Sequence, residues 1–135
     1  MNMIRFLSAV SLVVLPMLSH GLTTDEQRNL SIQLTQTALH INKGAPQLID
    51  EDTRLDSVST VKNIIIYNNT MVNYTVDQFN VAEFEVALKA AVIDPLCANT
   101  ALGAFRELGV VMAYRYLDKD GNFIVELSQD MGECG

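Results

Sequence analysis

Three observations predict an α+β domain for this chain of 135 residues. Apolar residues recur at helical spacing in three stretches, two other stretches alternate with period two, and one Asp-Gly pair sits between alternating segments. Their order is helix, hairpin, two helices, hairpin. That order implies an antiparallel sheet built from two β-hairpins, with about three helices packed on one face.

The chain starts with a segment unlike the rest. Arg5 precedes an apolar run from Phe6 to Leu18, followed by Ser19-His20-Gly21. These are the three regions of a secretory signal peptide, with cleavage expected after Gly21. The run of about 13 residues is too short for a bilayer-spanning helix, which needs about 20. No cysteine lies beside the cleavage site, so lipid attachment there is chemically excluded. Residues 1–21 are read as a signal peptide and residues 22–135 as one exported domain, located in the periplasm or released from the cell.

Without Arg5 the exported part carries 8 basic and 16 acidic residues, a net charge of −8. Such a surface repels nucleic acid and anionic membranes, and it suits a basic protein partner.

"TTDEQRNLSIQLTQTALHINKGAP" opens the domain as a helix. Thr23 or Thr24 caps it, and Asp25 and Glu26 suit the positive end of its dipole. Leu30, Leu34, Ala38 and Ile41 form the buried stripe, with Ile32 and Leu39 at its edges. Lys43-Gly44 and Pro46 end it. His40 falls in the last turn, where a cation is favourable. It is the one histidine left after cleavage, so a multi-histidine metal site is ruled out.

The next stretch switches to period two. Leu55 and Val58 mark a first strand. Ile65, Tyr67, Asn69, Met71 and Asn73 alternate with Ile64, Ile66, Thr70, Val72 and Tyr74 in a second, and Lys62-Asn63 forms the turn between them. Asn68, Asn69 and Asn73 are expected to make one side of this strand polar. Asn80 with Glu83 resembles a capping box, and Val81, Phe84, Leu88 and Val92 give the following helix a buried face. Asp94-Pro95 reads as the cap and first position of a third helix, which places Cys97 near its third position. Ala101, Phe105 and Leu108 point inward, and Gly109 stops it.

"VVMAYRYLDKDGNFIVELS" is the clearest element. A two-residue turn at Asp120-Gly121 pairs residues whose numbers sum to 241. Tyr116 then meets Val125 and Tyr114 meets Leu127 on an apolar face. Arg115 meets Glu126 and Lys119 meets Asn122 on the other.

Chemistry-bearing patterns are sparse. A thiol at a helix start can become a reactive thiolate, so Cys97 is a formal candidate nucleophile. Yet the chain has no C-x-x-C pair, and His40 alone is available as a base. Two cysteines in an oxidising compartment pair, and the tail after the last strand can reach back along the third helix, so Cys97 and Cys134 are expected to form a disulfide. "DKDGN" has its glycine at the wrong position for a calcium loop. Asp50, Glu51, Asp52 and Asp56 around Arg54 form a candidate contact surface. No catalytic residues, metal ligands or cofactor are implied, and the chain is not read as an enzyme.

The segments "DTRLDSV", "IIIYNNTMVNY", the cysteine near a helix start, and "GVVMAYRYLDKDGNFIVEL" with its later cysteine resemble small exported bacterial proteins of the quorum-sensing-regulated virulence factor family. The resemblance spans most of the exported part and implies a periplasmic or secreted protein of Gram-negative bacteria, with no functional residues to carry over. The reading that follows is a non-enzymatic interaction module of the cell envelope. The alternative is an inhibitor or immunity protein against a basic cell-wall or toxin enzyme, steered to it by charge.

Overall fold

The computed structural model describes residues 21–135, so the signal-peptide expectation lies, Gly21 apart, outside the described residues. Helix α1 spans Thr24–Asn42. It starts where the Thr23 side chain accepts the Glu26 N–H and ends at Lys43, as its caps dictate. Leu30, Leu34 and Ala38 are its buried stripe. Ile32 and Leu39, expected at the edge of that stripe, are instead 50% and 61% exposed, since they sit about a quarter-turn or more from it.

Five strands form one sheet in the order β1-β2-β3-β4-β5: β1 Gln47–Leu48, β2 Thr53–Val61, β3 Ile64–Met71, β4 Val111–Leu117 and β5 Phe123–Asp130. The first hairpin turns at Lys62, whose φ of 55° is left-handed. A bulge between Leu55 and Ser57 shifts the register. It brings Leu55 and Val58, three residues apart, onto the same face. The second hairpin keeps the expected pairing from Val111↔Asp130 to Tyr116↔Val125.

Three expectations are corrected. The sheet is mixed, because the hairpins join through a parallel pair, with Ile64↔Val111 and Tyr67↔Tyr114. The helical crossover between β3 and β4 returns the chain to the end from which β3 began, and this forces the parallel sense. The last hairpin has no two-residue turn. Its register slips after Tyr116 so that Leu117 faces Phe123. Asp118 causes this: its carboxylate accepts from the N–H groups of Asp120, Asn122 and Val76, and Gly121 closes the turn at a φ of 84°. Lys119, freed from pairing with Asn122, donates its N–H to Tyr74 O.

The third correction concerns the helices. Helix α2, Val81–Leu88, is capped by Asn80 as expected. It runs on without a break through a wide π-type turn, Lys89–Ile93, into a single 3₁₀ turn, Asp94–Leu96. Asp94 caps nothing because its own backbone is helical, φ −58° and ψ −37°, and its carboxylate pairs with Lys89 at 2.7 Å. A new cap, Asn99, accepts from Ala101 N–H, and helix α3 spans only Gly103–Leu108. Cys97 therefore follows a 3₁₀ turn and is not at a helix start, and Ala101 is exposed. Gly109 ends α3 in the left-handed conformation, φ 65°.

The helices cover one face of the sheet. Leu30, Leu34 and Ala38 of α1 pack with Val58, Ile65 and Met112, while Ile93, Leu96 and Met131 close the same core. Phe84 and Leu88 of α2 pack toward Met71, Tyr116 and Val125. The Cys97–Cys134 disulfide is formed, with Cα atoms 5.3 Å apart, and ties the C-terminal turn to the segment before α3.

Candidate functional site

Between α2 and the β1–β2 loop the helical cover is incomplete. An open groove of about 840 Å³ lies there over the middle of the sheet. The parallel β3–β4 joint builds its floor, setting Tyr67 beside Tyr114 and Asn69 beside Tyr116. The Tyr67 and Tyr114 rings stack at 4.9 Å and 10°. Phe84 meets Tyr116 edge-on at 5.8 Å. Phe84, Leu88, Ala91 and Val92 form one wall, and Ile49 to Asp52 form the opposite lip. The inner residues of α2 are only half-buried because this groove leaves them uncovered.

The lip is acidic. Asp50 Oδ1 accepts the N–H groups of Asp52 and Thr53 at 2.9 and 2.8 Å, which shapes the loop. The Asp52 bond comes first in holding the Asp50 carboxyl below the ordinary carboxylate range. Asp52 accepts from Asn73 Nδ2 at 2.8 Å. Among the described residues, no lysine, arginine or histidine lines the groove. Burial, and secondarily the Asp50 charge, push the Tyr116 phenol up to about 12. Burial also raises Tyr67 and Tyr114, the latter further through the neighbouring phenols.

Asn69 is the unusual member of the floor. It is 2% exposed, and its Nδ2 donates to Tyr67 O at 3.1 Å and to Arg115 O at 3.5 Å. Those two carbonyls fix which end of the amide is which. Its Oδ1 is buried and has no hydrogen-bond partner among the described residues. A buried acceptor left unpaired costs about 1–3 kcal/mol.

The structure divides the sequence-derived acidic cluster. Asp50, Glu51 and Asp52 stand together on the lip. Arg54 and Asp56 pair at 2.6 Å, and Thr70 donates to Asp56, on the opposite face of the sheet. Strand alternation makes that division, since Thr53 and Leu55 face the groove and Arg54 and Asp56 therefore face away, and sequence proximity concealed it. Asn68 and Asn69 also part company: Asn68 bonds Ser57 and Ser59 on the open face, whereas Asn69 turns into the groove. The row Ile65-Tyr67-Asn69-Met71 already held the signal, since it sets one amide among apolar neighbours.

Cys97 has its sulfur in the disulfide, and His40 lies in the last turn of α1. Among the described residues no three His, Cys, Asp or Glu side chains group to hold a metal, and no helix is long and apolar enough to cross a membrane. A second concavity, about 930 Å³, adjoins Leu22 and the start of α1. It gathers no comparable set of aromatic and unpaired polar groups.

A family model described as a domain of unknown function (DUF8479) matches residues 32–125. The chain belongs to that family. The match takes in β1 to β4, α2 and the lip, and thus every group that builds the groove. No curated protein matches the chain. Among solved structures, a candidate secreted protein from Pseudomonas aeruginosa is similar in fold. Its TM-score is 0.70 at 19% identity, over 85% of this chain and 100% of that one. The pilotin of the Vibrio vulnificus type 2 secretion system is similar at TM-score 0.66 and 15% identity, over 84% and 98%. A type II secretion system pilotin from Vibrio cholerae follows at 0.60 and 17%, over 80% and 94%. At these identities the likeness establishes the fold, and no enzyme family is among these matches.

Proposed function

We propose that this protein is an exported, non-enzymatic interaction module of the bacterial cell envelope, and that a protein partner seats in the groove between α2 and the β1–β2 loop. The observation that carries the reading is the stacked Tyr67–Tyr114 pair, set in an open apolar floor that the protein's own helices leave uncovered. Exposed concave apolar surface of this kind marks partner-binding sites. The shared fold with pilotins and a candidate secreted protein supports an envelope setting, as does a disulfide, which persists in oxidising compartments. In this reading residues 1–21 are the removed signal peptide, residues 22–135 are a periplasmic or secreted domain, and the quorum-sensing-regulated resemblance stays a matter of sequence likeness.

The test is crosslinking and capture from the periplasmic fraction with a C-terminally tagged copy. Ala91→Trp, which fills the groove from its exposed wall, is expected to abolish capture of the dominant partner. Ser59→Trp, on the open face of the sheet, is expected to leave it intact. Equal capture by both variants refutes the groove as the site. The acidic lip favours a second reading, an inhibitor or immunity protein against a basic enzyme. That reading requires an on-rate to the enzyme that falls steeply with ionic strength.

A further inference from the structure

We infer that the groove recognises a cationic peptide segment: a lysine- or arginine-bearing stretch with apolar neighbours, whose donor groups reach the acidic lip and the Asn69 carbonyl. The inference rests on the reading of the groove as the partner site, and it specifies what that site selects.

Three independent features converge. The first is charge. Asp50, Glu51 and Asp52 edge the groove, and no basic side chain among the described residues lines it. The nearest cations in sequence are engaged elsewhere, Arg54 with Asp56, Lys89 with Asp94 and Arg115 with Glu126. The lip is therefore an uncompensated anionic edge over an apolar floor, where a cation is attracted more strongly than in bulk water.

The second is aromatic. Tyr67 and Tyr114 lie stacked side by side across the sheet joint, with Tyr116 next to them and Phe84 edge-on to it. Aromatic faces attract alkyl stems and ammonium or guanidinium heads together. An anionic aromatic partner gains nothing here, because the acidic lip repels it.

The third is the unpaired acceptor. Asn69 Oδ1 is buried, lies in the floor, and has no donor from the described residues. Its amide cannot turn over to solve this, since Nδ2 already serves two main-chain carbonyls. Lysine and arginine carry donors and no acceptors, which suits a site of phenols, carboxylates and one free amide oxygen. Because the oxygen is shielded from solvent, a donor reaches it only when the groove floor around Asn69, which includes the tyrosines, shifts. Binding is therefore expected to perturb the tyrosine environment.

The experiment selects a random dodecamer peptide library, displayed on phage, on the oxidised exported chain, with the Ala91→Trp chain as counter-selection. Groove-dependent clones enriched in lysine or arginine beside apolar residues are the expected result. Replacing that cation by norleucine in a synthetic copy of one clone is expected to weaken binding at least tenfold. The triple change Asp50→Asn, Glu51→Gln, Asp52→Asn is expected to do the same while keeping the Oδ1 acceptor that shapes the loop. Asn69→Leu is expected to weaken the same peptide about tenfold; unaltered affinity in a folded Asn69→Leu chain overturns the role of that carbonyl. Groove-dependent clones that are neutral or acidic overturn the cationic specificity and leave the groove reading standing. Clones that bind the Ala91→Trp chain equally well, or no clones at all, overturn the groove reading itself and the specificity with it.

Discussion

Asn42, the last residue of α1, tests the account of how the helix is attached to the sheet. Its Nδ2 donates to Val58 O at 2.9 Å and its Oδ1 accepts the Val58 N–H at 2.7 Å. On that edge of β2, strand β1 pairs only with Arg54 and Leu55. Asn42 thus supplies at Val58 the two bonds that a longer β1 would have made. In Asn42→Ala both main-chain groups lose their partner. The site is part-buried and water can enter, so about 1–1.5 kcal/mol for each is the appropriate end of the range. Alanine's better helix propensity returns about 0.5 kcal/mol, which leaves a net loss of about 2 kcal/mol. For a domain of this size that corresponds to a fall in Tm of roughly 8 °C. In urea it corresponds to a midpoint lower by about 1 M at an unchanged m-value. Amide hydrogen exchange gives the residue-specific readout, since the Val58 amide is expected to lose its protection. A loss under about 0.5 kcal/mol, or a Val58 amide still protected in the variant, would refute the reasoning.

Three further outcomes are expected. Reducing the Cys97–Cys134 bridge, whose cysteines are 37 positions apart, removes about 4 kcal/mol in the chain-entropy account; denaturation with and without reductant measures it, and a change under 1 kcal/mol contradicts that account. Burial alone would push the Asp118 carboxyl up, but bonds from Asn122, Val76 and Asp120 outweigh it and hold it below the ordinary 3.8. Its contribution is therefore complete above that value and lost as pH falls through the lower folded one, so the acid limb of a stability–pH curve should flatten in Asp118→Asn. Tyr116 is raised from 10.0 to about 12, which makes its contribution full below pH 10 and lost as pH climbs to about 12; phenolate absorbance in wild type against Tyr116→Phe should show one tyrosine titrating in that late window.

Much of the fold was legible in the chain because its determinants are local. Thr23 and Asn80 cap helices through their own neighbours three residues on. Gly109 and Lys62 mark turns where a left-handed residue is needed. The β4–β5 register follows from the Asp120-Gly121 turn and the flanking alternation as far as Tyr116. Where local reading failed, a group from elsewhere had intervened. Val76, 42 positions before Asp118, helps hold the carboxylate that enlarges the last turn. The run that starts at Asn80 continues through Asp94, whose helical backbone leaves it no capping role.

The candidate site was legible only in part. The acidic lip was visible as a run of carboxylates, yet Arg54 and Asp56 were grouped with it because nearness in sequence masked the alternation that β2 imposes from Thr53 onward. Asn69 looked like one of several polar strand residues, and Tyr114 like ordinary core.

By itself, then, the sequence determined the two long helices' capped starts, the segments that become the four main strands, and that two cysteines pair. Each of these depends on residues a few positions apart, or on the mere presence of a second thiol. The parallel joint that stacks Tyr67 on Tyr114, the Asn42 clasp on Val58, and the uncovered floor around Asn69 were decided only by tertiary structure. A period-two row has the same pattern whether a helix covers it or leaves it open. Only the path of the crossover settles which stretch of the sheet remains uncovered.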